Sequence, residues 1–115
     1  TVGAARRSWA VQHRDILWRW IRAQKQACDW VLNPANTDEA VDLLSQRLDL
    51  PTNLARRSFD EDILHPTMGL YQSAALPISG IQTVLELRAE MGFLNPSSAT
   101  PGEFYDLSLY DEAVG

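Results

Sequence analysis

The residues of this 115-residue chain with the most chemical potential are two histidines, one cysteine and fifteen carboxylates. His65 follows Asp62 by three residues and Glu61 by four, a spacing that puts carboxylate and imidazole on one face of a helix. Helical bundles that bind two metal ions use such pairs, but in two copies with further carboxylates from other helices. Here there is one copy, and the only other histidine is His13. The expectation is therefore no metal site, only a solvated acidic turn, Asp60-Glu61-Asp62, ahead of a His65-Pro66 stop. Cys28 is the sole thiol, which excludes an intrachain disulfide framework and a multi-cysteine metal site. Its predicted place in mid-helix, among Trp20, Ala27 and Val31, would raise its pKa and leave it an inert core thiol. No serine stands in a Gly-x-Ser-x-Gly context, and there is no glycine-rich phosphate loop. The paired carboxylates all fall on predicted exposed faces. These residues point to no catalysis and no cofactor.

Binding chemistry offers two further candidates. Trp9, Trp18, Trp20 and Trp30 are dense for this length, and three of them ride on one predicted helix with Arg19, Arg22 and Lys25. Such a helix suits a membrane interface or a partner-binding face. Trp18 and Trp20, however, are about 200° apart around a helix and cannot share a face. The favoured reading makes two of the tryptophans core and lets the others cover a neighbouring surface. Charge is also uneven: residues 1–30 carry a balance of +4 and the remainder −9, within a net charge of −5. A basic N-terminal third is compatible with nucleic acid. The overall acidity and the lack of any recognised nucleic-acid motif favour arginines that face acidic helices, and no nucleic-acid partner is expected.

The elements that must position these residues are helical. A composition of 45% hydrophobic and 22% charged residues is ordinary for a globular domain. No run reaches the roughly 18 apolar residues of a membrane-spanning helix. Residues 13–32 place Ile16, Trp20, Ala23, Ala27 and Val31 on one stripe, widened by Leu17, Ile21, Cys28 and Leu32, which predicts burial over much of the circumference. Asn33-Pro34 ends that helix. A second helix at 37–49 is predicted to start on a reciprocal cap between Asn36 and Glu39, and to bury Ala40, Val41, Leu44 and Leu48. A third, at 51–64, has Pro51 in its first turn and Leu54, Ala55, Phe59 and Ile63 inward. Residues 67–76 lack a helical period and read as an extended connector. Pro77 opens a fourth helix, 77–91, with Ile78, Ile81, Val84, Leu85 and Met91 inward, and Gly92 ends it in the left-handed region. A loop at 95–102 precedes a short helix at 108–113 with a predicted Ser108–Asp111 capping box. Only residues 1–10, with Val2 to Trp9 as the core of the run, suggest a residual strand. That segment lacks the charged, apolar and small-residue succession of a secretory signal. The fold class is all-α, four main helices plus a short C-terminal one, in a single segment 1–115.

Four stretches, in order, carry a resemblance. Gly80-Ile81-Gln82-Thr83-Val84-Leu85-Glu86-Leu87-Arg88-Ala89-Glu90-Met91-Gly92 resembles the last long helix of the solute-binding proteins of ABC-type importers, in the nitrate/sulfonate/taurine class. Ala4-Ala5-Arg6-Arg7-Ser8-Trp9-Ala10 resembles the end of that family's final return strand. Trp30-Val31-Leu32-Asn33-Pro34-Ala35-Asn36, followed by Glu39-Ala40, is similar to its helix–Pro–helix junction, and Tyr105-Asp106-Leu107-Ser108 to its C-terminal signature. His13-Arg14-Asp15 departs from the Asn-Pro-type helix start common there. The match covers essentially this whole chain but only the C-terminal third of such a protein.

The resemblance implies a parent with the two-lobed α/β fold of type II periplasmic binding proteins. It would be periplasmic or membrane-anchored outside the cytoplasm, would close around a small anionic or zwitterionic solute, and would deliver it to a membrane permease. The cleft would be built mostly upstream, so no ligand-binding residue is assigned here, and this segment would brace the first lobe. The alternative reading is a free-standing helical interaction or dimerisation module that uses the Trp/Arg-rich first helix. On either reading, uncovered apolar helix faces are expected to make the isolated segment self-associate.

Overall fold

A computed structural model of the chain describes residues 3–95 and 100–115. The described residues fold as helices and turns without a strand, so the all-α class holds. The helices are α1 (Arg7–Gln12), α2 (Arg14–Leu32), α3 (Thr37–Leu48), α4 (Thr52–Ser58), α5 (Ile78–Glu90) and α6 (Ser108–Val114). The chain divides into two compact units, one from Thr1–Trp18 with Leu76–Gly115 and the other from Arg19–Ala75. Part of the loop expected at 95–102, residues 96–99, lies outside the described residues, as do the first two of the expected strand.

The N-terminal strand is the clearest correction. Arg6 is the last extended residue (φ −65°, ψ 135°), and Arg7 begins α1. Ala10 N–H donates to the Arg6 carbonyl and His13 N–H to the Trp9 carbonyl, both at 2.9 Å. Among the described residues there is no second strand to pair with, and the segment satisfies its backbone groups locally in a helical turn. His13 interrupts the helix as its cap; its ring stacks on Trp9 at 4.7 Å between centroids, and its Nδ1–H donates to the Trp9 carbonyl at 3.0 Å.

The Arg19–Ala75 unit holds the larger core. Val41, Ala55 and Phe59 are buried at 1%, 0% and 1% exposure, with Ala40 beside them. Trp30, Val31, Leu44, Leu50 and Ile63 pack around this cluster. Asn33 is extended (ψ 119°), as the following Pro34 requires. Its side chain accepts from Ala35 N–H at 3.0 Å to start a single 3-10 turn. The expected Asn36–Glu39 cap does not form: Asn36 Nδ2 donates to the Trp30 carbonyl at 2.9 Å, because the turn aims it back at the end of α2.

Asp49 ends α3 in the left-handed region (φ 51°), and Leu50 N–H and Ser45 Oγ close the corner on Ser45 and Leu50 carbonyls at 3.0 and 2.6 Å. That reversal brings Leu50 to the core and leaves Leu48, expected inside, 57% exposed. Pro51 stands one place before α4 as its cap residue. Leu54 is likewise exposed, since it sits about 140° around the helix from Phe59. The helix then widens to a π-turn, Phe59–Ile63, with Leu64 N–H on the Phe59 carbonyl at 3.0 Å.

In the other unit the buried side chains among the described residues are Leu85 on α5 and Leu109 and Ala113 on α6. Arg14 pairs with Glu112. Gly92 (φ +76°) ends α5 as expected: Phe93 N–H bonds the Arg88 carbonyl at 2.9 Å and Gly92 N–H the Ala89 carbonyl at 3.0 Å, the paired pattern of a Schellman cap. The Ser108–Asp111 box is absent. Asp106 caps α6 instead, its carboxylate accepting from Ser108 N–H at 3.0 Å.

Candidate functional site

The acidic–imidazole group does not converge. Glu61 takes Arg57 Nε at 2.9 Å and Asp62 takes Ser58 Oγ–H at 2.6 Å, each a turn back along its own helix. His65 faces its own loop, where Nδ1 accepts from the backbone N–H groups of Thr67 and Met68 at 3.2 and 3.1 Å. Among the described residues no group of three or more histidine, cysteine or acidic side chains is placed to hold a metal ion. No helix among them is long and apolar enough to cross a membrane.

The expected burial of α2 is overturned. It has no fully buried residue; Ile16 and Trp20 are 45% and 49% exposed, and Ala23 and Ala27 are exposed too. The stripe is real as a pattern, but only its C-terminal end meets the α3–α4 core, through Val31 with the neighbouring Trp30. Leu17, Ile21, Cys28 and Leu32 are half-buried. Of the tryptophans, Trp30 packs on the core, Trp18 is half-buried, and Trp9 and Trp20 are the exposed pair.

The basic N-terminal third is engaged with acids of its own chain, as in the pairs of Arg14 with Glu112 and of Lys25 with Asp29 at 2.7 Å. In the acidic remainder Arg56 pairs with Asp38. Exposed pairs like these contribute about 0–1 kcal/mol each, so they orient more than they stabilise.

One constellation was not anticipated. Asp29, on α2, accepts from Lys25 Nζ one turn earlier and from Ser73 N–H at 2.8 Å, 44 residues on, with Ser73 Oγ a further 3.5 Å contact. The Lys25 hydrogen bond, then the Ser73 amide, hold the Asp29 carboxyl below its ordinary range. Beside it, burial first and then the Asp29 charge push the Cys28 thiol up, partly offset by a hydrogen bond from the Ala74 backbone. Ser73 and Ala74 both have left-handed φ, 57° and 54°. The connector at 67–76 is therefore not simply extended; it contains a 3-10 turn at Gln72–Ala74 pinned to α2. Sequence reading missed this because the usual marker of left-handed backbone, Gly or Asn, is absent at Ser73-Ala74.

A second feature is a bare apolar face on α5. Leu85 and, in part, Ile81 face the interior, while Val84, Leu87 and Met91 are 55%, 51% and 67% exposed. Those three fall within about 60° of one another, and Leu85 stands about 120° from their centre. Val84 and Met91, expected inward, thus belong to a separate stripe; the sequence pattern had merged two faces into one.

No protein-family model, no curated protein and no solved structure matches this chain.

Proposed function

We propose that this chain is part of the solute-binding component of an ABC-type importer for small anionic or zwitterionic solutes of the nitrate, sulfonate or taurine kind. Its helices brace the first lobe of a two-lobed α/β parent with the type II periplasmic-binding-protein fold, periplasmic or anchored outside the cytoplasm. The observation that carries this reading is the doubly apolar α5, with one face buried in the segment and a second bare. A helix apolar on two sides is built to sit between two layers, here its own unit and the body of a larger protein. The resembling stretches also coincide with helix boundaries: Asn33-Pro34 at the α2 break, Gly92 at the α5 cap and Asp106 at the start of α6. The return-strand stretch fits less well, since helix begins at Arg7 and leaves a strand only the residues up to Arg6.

On this reading the work is ligand capture by hinge closure and hand-over to a permease, with no bond made or broken. The test is thermal denaturation of the gene product carrying this sequence against nitrate, sulfonates, taurine and pyrimidine precursors. A true ligand at 100 times its Kd stabilises by about 2.7 kcal/mol and raises Tm visibly. No shift across the panel counts against the carrier.

The exposure of Ile16 and Trp20 on α2 favours a second reading, a helical module that grips a partner or a second copy through that helix. It predicts self-association by light scattering that Trp20→Ala abolishes, with no solute response.

A further inference from the structure

We propose that Asp29 is a latch that holds the connector around Ser73 and Ala74 closed over the Cys28 thiol, against the left-handed strain of those two residues. The proposal stands on geometry alone and is independent of what the chain transports or binds. Ser73 (φ 57°, ψ 20°) and Ala74 (φ 54°) occupy a backbone region that a Cβ makes costly, and neither is the Asn or Asp that tolerates it. Two such residues in succession persist only when neighbouring contacts over-determine them. The local bonds are modest: Ala74 N–H to the Tyr71 carbonyl at 3.1 Å and Ala75 N–H to the Gln72 carbonyl at 3.2 Å. A charged long-range tie is Ser73 N–H to Asp29 at 2.8 Å, a carboxylate itself oriented by Lys25 at 2.7 Å. The carboxylate and the thiol are consecutive on α2, and Cys28 is half-buried beside the residue that holds Ser73. When Asp29 lets go, the strain of both residues is relieved in the same movement, so the connector opens as a unit and uncovers Cys28.

Relief of strain gives the test two perturbations of opposite sign. Asp29→Ala removes the tie; Ala74→Gly and Ser73→Gly keep it and remove the steric penalty of the closed form. The readouts on the folded full chain are hydrogen exchange of the 71–76 segment and alkylation of Cys28, followed to its high-pH plateau. At the plateau the thiolate fraction no longer matters, and the loss of the Asp29 charge cannot mimic opening. The expected result is at least a tenfold rise of both rates in Asp29→Ala, and a severalfold fall in the glycine variants. Equal plateau rates in wild type and a folded Asp29→Ala overturn the proposal. If Asp29→Ala loses its far-UV circular dichroism, the glycine variants decide: slower exchange and labelling support the latch, and unchanged or faster rates refute it.

Discussion

Replacing Phe59 by alanine strikes the centre of the Arg19–Ala75 unit. The ring is 1% exposed and sits among Val41, Ala55 and Ala40, with Trp30, Val31, Leu44, Leu50 and Ile63 around it. Two of its four buried members are alanines, which have no side-chain length to collapse into a void. The site therefore relaxes poorly, and the cost falls at the upper end of the usual range for Phe→Ala, about 3–5 kcal/mol. Folded domains have about 0.05–0.15 kcal/mol of stability per residue, so a unit of this length commands roughly 3–9 kcal/mol. Phe59→Ala thus consumes most of it. Val41→Ala removes two carbons at about 0.8 kcal/mol each plus a small cavity term, roughly 2 kcal/mol. Leu54→Ala, 47% exposed on the neighbouring face, costs under about 0.5 kcal/mol. Urea titrations followed by far-UV circular dichroism should rank the midpoints Leu54→Ala, Val41→Ala, Phe59→Ala in falling order, the last with helical signal already lost at low urea. A Leu54→Ala loss as large as that of Phe59→Ala would refute this account of the core.

Three further outcomes follow from backbone geometry and charge. Gly92→Ala puts a Cβ on a left-handed residue (φ +76°) and should cost about 1–2 kcal/mol, read as a lower urea midpoint and faster exchange of the Phe93 amide. At Gly69 a Cβ would lie 2.3 Å from the Ile63 carbonyl oxygen and 2.6 Å from that of His65, both backbone, so Gly69→Ala must displace the loop; the Leu70 amide, bonded to Ile63 at 2.9 Å, should lose its exchange protection. The Asp106 carboxyl is held below its ordinary value of 3.8, first by the Ser108 side chain and then by its amide. Its folded pKa is depressed, so its contribution to α6 is complete above 3.8 and is lost as pH falls through the lower native value. Exchange at Ser108 should rise only below that point in wild type, and Asp106→Asn should remove the dependence.

Helix type and limits were legible wherever the signal was local. Pro34, Pro51, Pro77 and Gly92 act on their own or adjacent backbone, and the helices end or begin at or next to them. Caps were less legible because a polar group further upstream starts the turn: Asn33 accepts from Ala35 N–H and Asp106 from Ser108 N–H, where Asn36 and Ser108 were expected as caps. Facing was the least legible. A stripe such as Ile16, Trp20, Ala23, Ala27 says that a helix has an apolar side, not that this chain supplies its cover. The Asp29–Ser73 tie spans 44 residues and joins a helix to a turn without glycine, so no period or motif announces it.

The uncovered faces and the latch bear on the proposed function in different ways. Seven hydrophobic side chains are buried among the described residues, while sixteen large ones are more than a third exposed. Exposed apolar area forgoes about 25 cal/mol per Å2 of stabilisation that a cover would supply. On the carrier reading the missing cover is the first lobe, and Leu87→Asp should then be nearly neutral in the isolated segment but strongly destabilising in the parent. That contrast separates a brace from a recognition face: a partner-binding surface tolerates Leu87→Asp in both settings and loses only the partner. Cys28 labelling is the complementary probe. Its rate depends on the connector and not on α5, so it should be unchanged by Leu87→Asp as long as the Arg19–Ala75 unit is folded. A variant that altered both together would mean that the two faces report one global opening, and the argument for separate roles would fail.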